Sequence, residues 1–551
     1  MALFGIDLGT SNCLVAQVSQ NLDDSFVVRC LSDDDGNDSF PSVVYFESDK
    51  QYKVGYAALK YLFEKPDSTV ELIKVRLGKT DHIEIKTDTF AFEKSPQEIS
   101  SYLLNHFNVI HKNVIKNSVI TVPAFFDQSQ KDATMQAGII ANMTPRFLIE
   151  EPTAAIMYHI FSEYQDKGLD IFEGKQDKKI LVFDFGGGTL DLSLIGLTLQ
   201  DRTVVPKVLA IGGDTELGGN IIDFIFTKVV LQILKRNYSS DRFITDVWKA
   251  FTGYFDSYIN NSKLSFADNV TYEVKNFIFR LKRNLEQIKI KLSSSNKATI
   301  IFEGQYKPLE ITREQFEEYV LKSDELNIRE RIELALNQIS KKRQHISEVL
   351  LIGGSSQIPL IKDIILDTFS DMGITKNRII LSNDFSQAVA KGAAIQAAIA
   401  DGMPIPPFML NKCESIVARD IELEHTGHSE LFIRMGTEYP FNKRKEFNLK
   451  IGHALSETVS LRLNEVVSKN GQSDEKREIC NFAFYLPLYY TNDNITVLMN
   501  IDEAGLYQIE AIHNNTGEAV EFEPHKRFSL SASEMKTVKE NSKVMADITL
   551  I

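Results

Sequence analysis

Two short stretches carry the residue types that phosphate and metal chemistry require. The first is Gly5-Ile6-Asp7-Leu8-Gly9-Thr10-Ser11-Asn12; the second, a domain length later, is Asp184-Phe185-Gly186-Gly187-Gly188-Thr189-Leu190-Asp191. Each follows a short apolar run and passes through Asp-x-Gly towards a hydroxyl residue. Glycine admits positive φ and lets backbone N–H groups approach a phosphate with no Cβ in the way, while the hydroxyls of Thr10, Ser11 and Thr189 add donors. Asp7, Asp184 and Asp191 carry the same sign as a phosphate and cannot face it directly. They fit as outer ligands of a hydrated Mg²⁺, which keeps several waters when it binds a nucleotide. One such turn alone reads equally well as a Gly-rich hairpin. Two matching turns point to a duplicated phosphate clamp with one turn on each of two lobes.

Such a clamp needs rigid lobes, and at 551 residues the chain exceeds what one hydrophobic core usually supports. Hydrophobic residues at 43% and charged residues at 25% are ordinary globular values, so the chain should fold into several domains. A net charge of −14 disfavours a nucleic-acid partner, which calls for a basic face. Cys13, Cys30, Cys413 and Cys480 form no CxxC pair, so neither a zinc knuckle nor a disulfide framework is indicated. The start lacks a basic n-region and no long apolar stretch occurs, so the expected location is cytoplasmic, with no membrane partner.

Further blocks make a resemblance specific. Ile120-Thr121-Val122-Pro123-Ala124-Phe125-Phe126, then Gln130-Lys131 and Glu150-Glu151-Pro152-Thr153-Ala154-Ala155, resemble the DnaK-type heat-shock chaperones of the actin-fold ATPase superfamily. So do Gly213-Asp214-Thr215, Leu217-Gly218-Gly219 and Ile352-Gly353-Gly354-Ser355. The resemblance implies a multidomain protein: an actin-like α/β ATPase domain of two duplicated lobes over 1–400, binding ATP or ADP with Mg²⁺ and, in addition, K⁺. It implies that Lys74 orients the attacking water, that Glu151 acts with Asp7 and Asp184 around Mg²⁺ and that water, and that Thr10 and Thr189 contact phosphates. Glu151 precedes Pro152, read here as the first helical residue after an apolar strand, where a carboxylate faces a cleft. Gly9, Ser11, Asn12, Gly186, Gly187, Gly188, Gly218 and Gly219 complete the phosphate side.

On the adenosine side, Leu281, Leu285, Ile288 and Leu292 fall on one helical stripe, with Glu286, Lys289 and Ser293 on a neighbouring polar one. By pattern that second stripe is solvated surface; by resemblance it holds ribose and adenine, facing Gly353, Gly354 and Ser355. Gln357 and Ile290 stand where relatives carry arginines, and Ser386 replaces an aspartate. A guanidinium over an aromatic face is worth about 0.5–2 kcal/mol, so weaker adenine binding is expected.

Beyond Ala400 the texture changes. Asp401-Gly402-Met403-Pro404-Ile405-Pro406-Pro407 marks a linker over 401–411, followed by alternating short strands that read as a β-sandwich over 412–526. Its Thr437-Glu438-Tyr439-Pro440 and Ile501-to-Leu506 segments resemble the subdomain that binds extended peptides in that family. Phe447 and Val459 align with cleft-lining positions, or else belong to the sandwich core. The tail 527–551 allows at most a partial helix, so the family's helical lid is expected to be absent, as in a divergent HscC-like member. Phe147 and Glu150 stand where relatives receive a J-domain co-chaperone, with Glu150 still a candidate for a basic surface, and Lys131 replaces an interdomain arginine. A specialised J-domain partner and a nucleotide exchange factor are the expected partners, beside unfolded peptide. The resulting reading is an ATP-dependent chaperone. An ATP-regulated scaffold or co-chaperone with one fixed protein partner and low ATP turnover, and a small-molecule kinase, are the alternatives, the β-module arguing against the kinase. Phosphorylation of Thr189 is left open.

Overall fold

The computed structural model describes residues 3–79, 82–111, 114–259, 266–267, 269–339, 346–382, 386–425, 428–450, 456–467, 475–487, 492–503, 505–514, 517 and 519–522. Two sheets of the same plan form the first 400 residues. In the first, β1 (Leu3–Leu8), β2 (Asn12–Gln20), β3 (Phe26–Cys30), β4 (Asn117–Val122) and β5 (Thr144–Glu150) lie in the order β5-β4-β1-β2-β3. The second has β6 (Asp177–Phe185), β7 (Leu190–Gln200), β8 (Thr203–Asp214), β9 (Glu348–Ile352) and β10 (Ile379–Leu381) in the order β8-β7-β6-β9-β10. In both, the first three strands run antiparallel and the last two join the first in parallel. Each phosphate turn is therefore the same element, the hairpin between the first and second strands of its lobe. The central strands are covered on both faces, which is why Ile180-Leu181-Val182-Phe183 is an unbroken, fully buried apolar run.

The lobes meet through two helices that occupy equivalent places, α1 (Glu151–Lys167) after β5 and α2 (Ala388–Ala400) after β10. Seven of the thirteen residues of α2 are alanine, and with Gly392 they let backbones touch. A Cβ on Gly392 would lie 1.6 Å from the Ala154 carbonyl oxygen, and one on Gly5 would lie 2.1 Å from the Ala394 nitrogen. One hydrophobic cluster accordingly runs from Val119 and Ile149 in the first sheet through both helices to Val182 and Ile352 in the second.

Two four-stranded antiparallel sheets follow. One comprises His428–Ile433, Ile421–His425, Ser456–Val467 and Glu475–Pro487, and the other Phe441–Lys450, Asn492–Ile501, Tyr507–His513 and Ala519–Phe522. Alternate residues such as Leu461 and Leu463 or Ile495, Val497 and Met499 close a single core between them, as a sandwich requires. Phe447 and Val459 lie on these strands, but their side chains, like the tail 527–551, lie outside the described residues. The connecting segment does not hang free. Ile405 and Phe408 are fully buried in the interlobe core, and the Val204 and Val208 N–H groups donate to the carbonyls of Pro407 and Glu414 at 2.9 Å. The segment thus covers the open edge of β8 and brings the sandwich against the first lobe.

That contact buries an acid. The helix Gln128–Ile140, capped by Asp127 and Gln130, faces the sandwich, and Asp127 pairs with Arg477 at 3.2 Å. One oxygen of Asp132 accepts from the Gln128 amide at 3.1 Å, while the other, buried, has no hydrogen-bond partner. Burial first, then Asp502 and Asp127, push its pKa up from 3.8 to about 7 against the opposing pull of Gln128 and Lys131. The folded protein therefore keeps a proton there that the unfolded chain has lost. Stability should fall as pH rises from about 4 to about 7 and level off above. Asp132→Asn should make that slope shallower, the raised pKa values of Asp7, Asp184 and Asp191 keeping part of it, and raise the melting temperature at pH 8, for a gain of at most about 4 kcal/mol. Thermal melts of both proteins at pH 5 and pH 8 check this; equal slopes would refute it.

Candidate functional site

The two phosphate turns face each other at contact distance. A Cβ on Gly187 would lie 2.6 Å from Ser11 Oγ, one on Gly188 would lie 2.8 Å from Thr10 Oγ1, and one on Gly218 would lie 2.4 Å from the Gly188 carbonyl carbon. Close approach is thus the reason for these glycines. The expected positive φ is not: of the site glycines only Gly353 adopts it, at 77°. The second turn is held from two sides. The N–H groups of Gly219 and Asn220, at the start of the helix Gly219–Asn237, donate to the carbonyls of Gly186 and Gly187 at 3.0 and 2.8 Å. The Ser355 hydroxyl donates to the Gly186 carbonyl at 2.8 Å. In the first turn, the Ser42 hydroxyl donates to the Gly9 carbonyl at 2.7 Å.

Beneath the turns lies a buried charge cluster. Lys74, on a short 3₁₀ turn (Ile73–Arg76) entered through left-handed Leu72, forms an ion pair with Glu151. Burial opposes the Lys74 charge, but the carboxylates of Glu151 and Asp7 outweigh it and raise its pKa. Burial, then Glu151, pushes Asp7 up to about 7, partly offset by Lys74 and by Thr121, whose hydroxyl donates to it at 3.3 Å. Asp184 is raised by burial and then by Glu151, Asp191 and Asp7. Asp191 is raised to about 6 by burial and Glu151, although Thr189 donates to it at 2.6 Å and the Phe125 N–H at 3.1 Å. Desolvated carboxylates of like sign are what a cation stabilises, so the cluster suits a bound Mg²⁺. Among the described residues no three His, Cys, Asp or Glu groups stand close enough to ligate a metal directly.

Lys289 lies beside the second turn. Its ammonium donates to the Gly219 carbonyl at 3.2 Å, and a Cβ on Gly219 would approach both it and Ser355 Oγ. The buried stripe of Leu281, Leu285, Ile288 and Leu292 is present. Glu286 is half-buried and paired with Arg283, and Ser293 donates to the Lys289 carbonyl at 3.4 Å. Ile290 is exposed.

Three participants were not read from the sequence. Asp223 forms a buried pair with Lys289 at 2.7 Å; its signal is an acid inside the apolar run Ile221-Ile222-Asp223-Phe224-Ile225-Phe226. Thr121 and the Phe125 backbone, in the first lobe, touch Asp7 and Asp191, and no sequence spacing announces that. Two expectations need correction. Pro152 is the second residue of its helix, because Glu151 itself takes the first position behind Glu150. Glu150 is not available to a basic surface: it is buried and accepts from the hydroxyls of Tyr439 at 2.6 Å and Ser415 at 3.0 Å, both from the segments beyond the linker. Phe147 is buried too.

Replacing Lys289 with methionine leaves Asp223 buried without its cation. Lys289→Met should destabilise the fold by about 3–5 kcal/mol and weaken nucleotide binding. Chemical denaturation and calorimetry with ADP test it, and the double variant Lys289→Met/Asp223→Leu should recover stability without recovering affinity.

Comparison with known proteins agrees with the geometry. A family model described as Hsp70 protein matches residues 3–247 and 257–548. The chain is 34% identical over 417 residues to the chaperone protein DnaK of Mycoplasmopsis agalactiae, covering 73% of this chain and 59% of that protein. It is 32% identical over 410 residues to the protein of the same name from Thermosipho melanesiensis, again covering 59% of the relative. With the chaperone protein DnaK of Thermotoga maritima it shares 29% identity over 570 residues, covering 98% of this chain and 83% of the relative.

Proposed function

The chain belongs to the Hsp70 family, and we propose that it is an ATP-dependent chaperone: it hydrolyses ATP between its lobes and uses that cycle to gate an extended-peptide site in the β-sandwich. The observation that carries the coupling is Phe125. Its N–H donates to Asp191 in the nucleotide site, and its carbonyl accepts from the Arg419 guanidinium at 2.6 Å, in the segment that leads into the sandwich. One residue therefore touches both the phosphate chemistry and the second module.

Hydrolysis of a phosphoanhydride asks the protein for positioning and charge stabilisation more than for covalent chemistry. The hydroxyls of Thr10, Ser11 and Thr189 and the N–H groups of both turns cradle the phosphates from opposite sides. Lys74, held against Glu151, places a buried positive charge where the attacking water must be oriented and negative charge develops. Asp7, Asp184 and Asp191 would hold Mg²⁺ through its waters, and the ion would supply neutralisation of phosphate charge. Gly353, Gly354 and Ser355 with Glu286, Lys289 and Ser293 hold the nucleoside. Phe447 and Val459 line the cleft for an apolar peptide, held by main-chain hydrogen bonds. A specialised J-domain protein and an exchange factor would act on this cycle. No helix among the described residues is long and apolar enough to cross a membrane, and a cytoplasmic location accords with this reading.

Single-turnover hydrolysis with and without an apolar peptide tests the proposal. Peptide should accelerate turnover, and Lys74→Ala should lower it by about a hundredfold or more while nucleotide still binds. Basal turnover indifferent to peptide would instead favour a scaffold with one fixed partner. Tyr439→Phe removes one of the two hydroxyl donors to Glu150. It should leave basal hydrolysis within about twofold and weaken the peptide response severalfold, since a buried hydrogen bond to a charge is worth about 1.5–3 kcal/mol.

A further inference from the structure

The helix Gln128–Ile140 meets the β-sandwich along one face, and that face carries the buried acid Asp132. Gln128 and Lys131 close a small cavity from the helix side, with Arg419, Tyr439, Gly505 and Tyr507 closing it from the other. Asp132 stands one helical turn beyond Gln128 and accepts from its amide at 3.1 Å. We propose that docking of the sandwich on the first lobe takes up a proton at Asp132, so that acid favours the docked arrangement and a rise in pH towards neutral loosens it. The docking is read from the contacts between the modules; only its consequence for peptide binding rests on the chaperone reading above.

The first observation is what covers the acid. Positions 128, 131 and 132 share one helix face at spacings of three and four. A Cβ on Gly505 would lie 2.9 Å from Lys131 Nζ and 3.0 Å from the Tyr439 hydroxyl. The turn that joins the strands Asn492–Ile501 and Tyr507–His513 therefore lies directly on this face. Release of the sandwich would open it to water.

The second is what Asp132 meets when covered. It is 3% exposed; one oxygen has the Gln128 amide and the other has no hydrogen-bond partner. An ionised carboxylate is costly in such a place and a neutral one is not. Gln128 Oε1, also buried without a partner, offers a protonated Asp132 an acceptor on the same amide.

The third is the charge around it. Asp502 faces it from the sandwich and Asp127 from its own helix, both with the same sign. Lys131 pulls the other way, but its ammonium stands 3.9 Å from Glu150 and over the Tyr439 ring. The sandwich cations are also engaged, Arg477 with Asp127 at 3.2 Å and Arg419 with Glu465 at 3.1 Å. From the first lobe, Gly78 packs on Gln130 and brings the turn that carries Arg76 and Lys79 against the start of the helix. Burial, then Asp502 and Asp127, thus hold the docked carboxyl at about 7, whereas the uncovered one ionises near the ordinary 3.8. Between those values the docked arrangement binds more protons. Its population should fall as pH rises from about 4 to about 7, by up to about tenfold per pH unit in the docking equilibrium, and level off above.

Energy transfer between a dye at the exposed Leu22 on the first lobe and one at the exposed His428 on the sandwich reads docking in the full chain, with both dyes attached through unnatural side chains. Measured at pH 5, 6, 7 and 8 with nucleotide held saturating, the docked fraction of the unaltered chain should fall up to pH 7 and stay level beyond. Asp132→Asn should stay docked at pH 8 and show a shallower fall, the buried Glu465, whose pKa is also raised, keeping the remainder. Asp502→Asn retains an oxygen for the Leu506 N–H and should draw the end of the fall to lower pH, a result that does not depend on the Asp132 variant folding. Docking that is constant between pH 5 and pH 7 in the unaltered chain, or an equal fall in Asp132→Asn, overturns the proposal. Absence of ATP cleavage with the pH-dependent docking intact would overturn the ATPase reading and leave the proton uptake standing.

Discussion

Four carboxylates, the buried Asp184 and Asp191 and the half-buried Asp7 and Glu151, crowd around one buried ammonium, Lys74. Isolated from a ligand, that arrangement is unfavourable, because burial and mutual repulsion raise the pKa of each aspartate and the single lysine cannot neutralise them all. The rest of the nucleotide domain can be understood as what holds these groups together in spite of that. Lys74 arrives from a 3₁₀ turn in the first lobe, Glu151 from the first turn of an interlobe helix, and the aspartates from the first hairpin of each sheet. The first-lobe groups would lose register with Asp184 and Asp191 if either lobe turned freely.

What prevents that turning is the contact between α1 and α2. Ala154 on one and Gly392 on the other bring the helix backbones together, and Gly5 lets α2 lie directly on β1. Because the two helices occupy equivalent places in a duplicated plan, the lobes meet about their matching elements and the two phosphate hairpins come face to face. Duplication is not perfect, and the difference is functional. Asp184 pairs with Asp191 across β6 and β7, whereas Asp7 is opposite Leu14 across β1 and β2. The third aspartate is present only in the second lobe, so the carboxylate cluster is asymmetric although the folds that build it are not.

Much of this was legible before any coordinates. The paired turns, the buried stripe of Leu281, Leu285, Ile288 and Leu292, and the strands of the sandwich all follow from local pattern, where period and turn chemistry agree. The assignment of Lys74, Glu151 and Lys289 came from motif resemblance, since a lone lysine has no periodic signature. What could not be read depends on contacts distant in sequence. Asp223 becomes meaningful only because Lys289 lies across from it. The glycines of the second turn look like positive-φ residues from sequence, yet their need comes from Ser11, Thr10 and Gly218 approaching through space. Glu150 looked like a surface acid because its donors, Ser415 and Tyr439, lie far along the chain.

Those donors bear on how the two halves communicate. Glu150 and Glu151 are neighbours at the start of α1, one bonded to the sandwich side and the other to Lys74. A shift of Tyr439 and Ser415 would strip the buried Glu150 carboxylate of both hydroxyls while Lys131 stays 3.9 Å away, a costly state that moving the start of α1 would relieve. Such a movement would displace Glu151 from Lys74. Phe125 offers the same logic on the other side of the cluster, through Arg419 and Asp191. Arg419 is itself fixed by a buried pair with Glu465 at 3.1 Å, and Glu465 accepts from Tyr507 at 3.2 Å, so its guanidinium is anchored within the sandwich and does not trail from the linker. Two independent backbone segments thus tie the position of the β-module to the two ends of one charge cluster. A rearrangement that satisfied only one of them would leave a buried polar group without its partner at the other, which is why the module should dock or release as a unit.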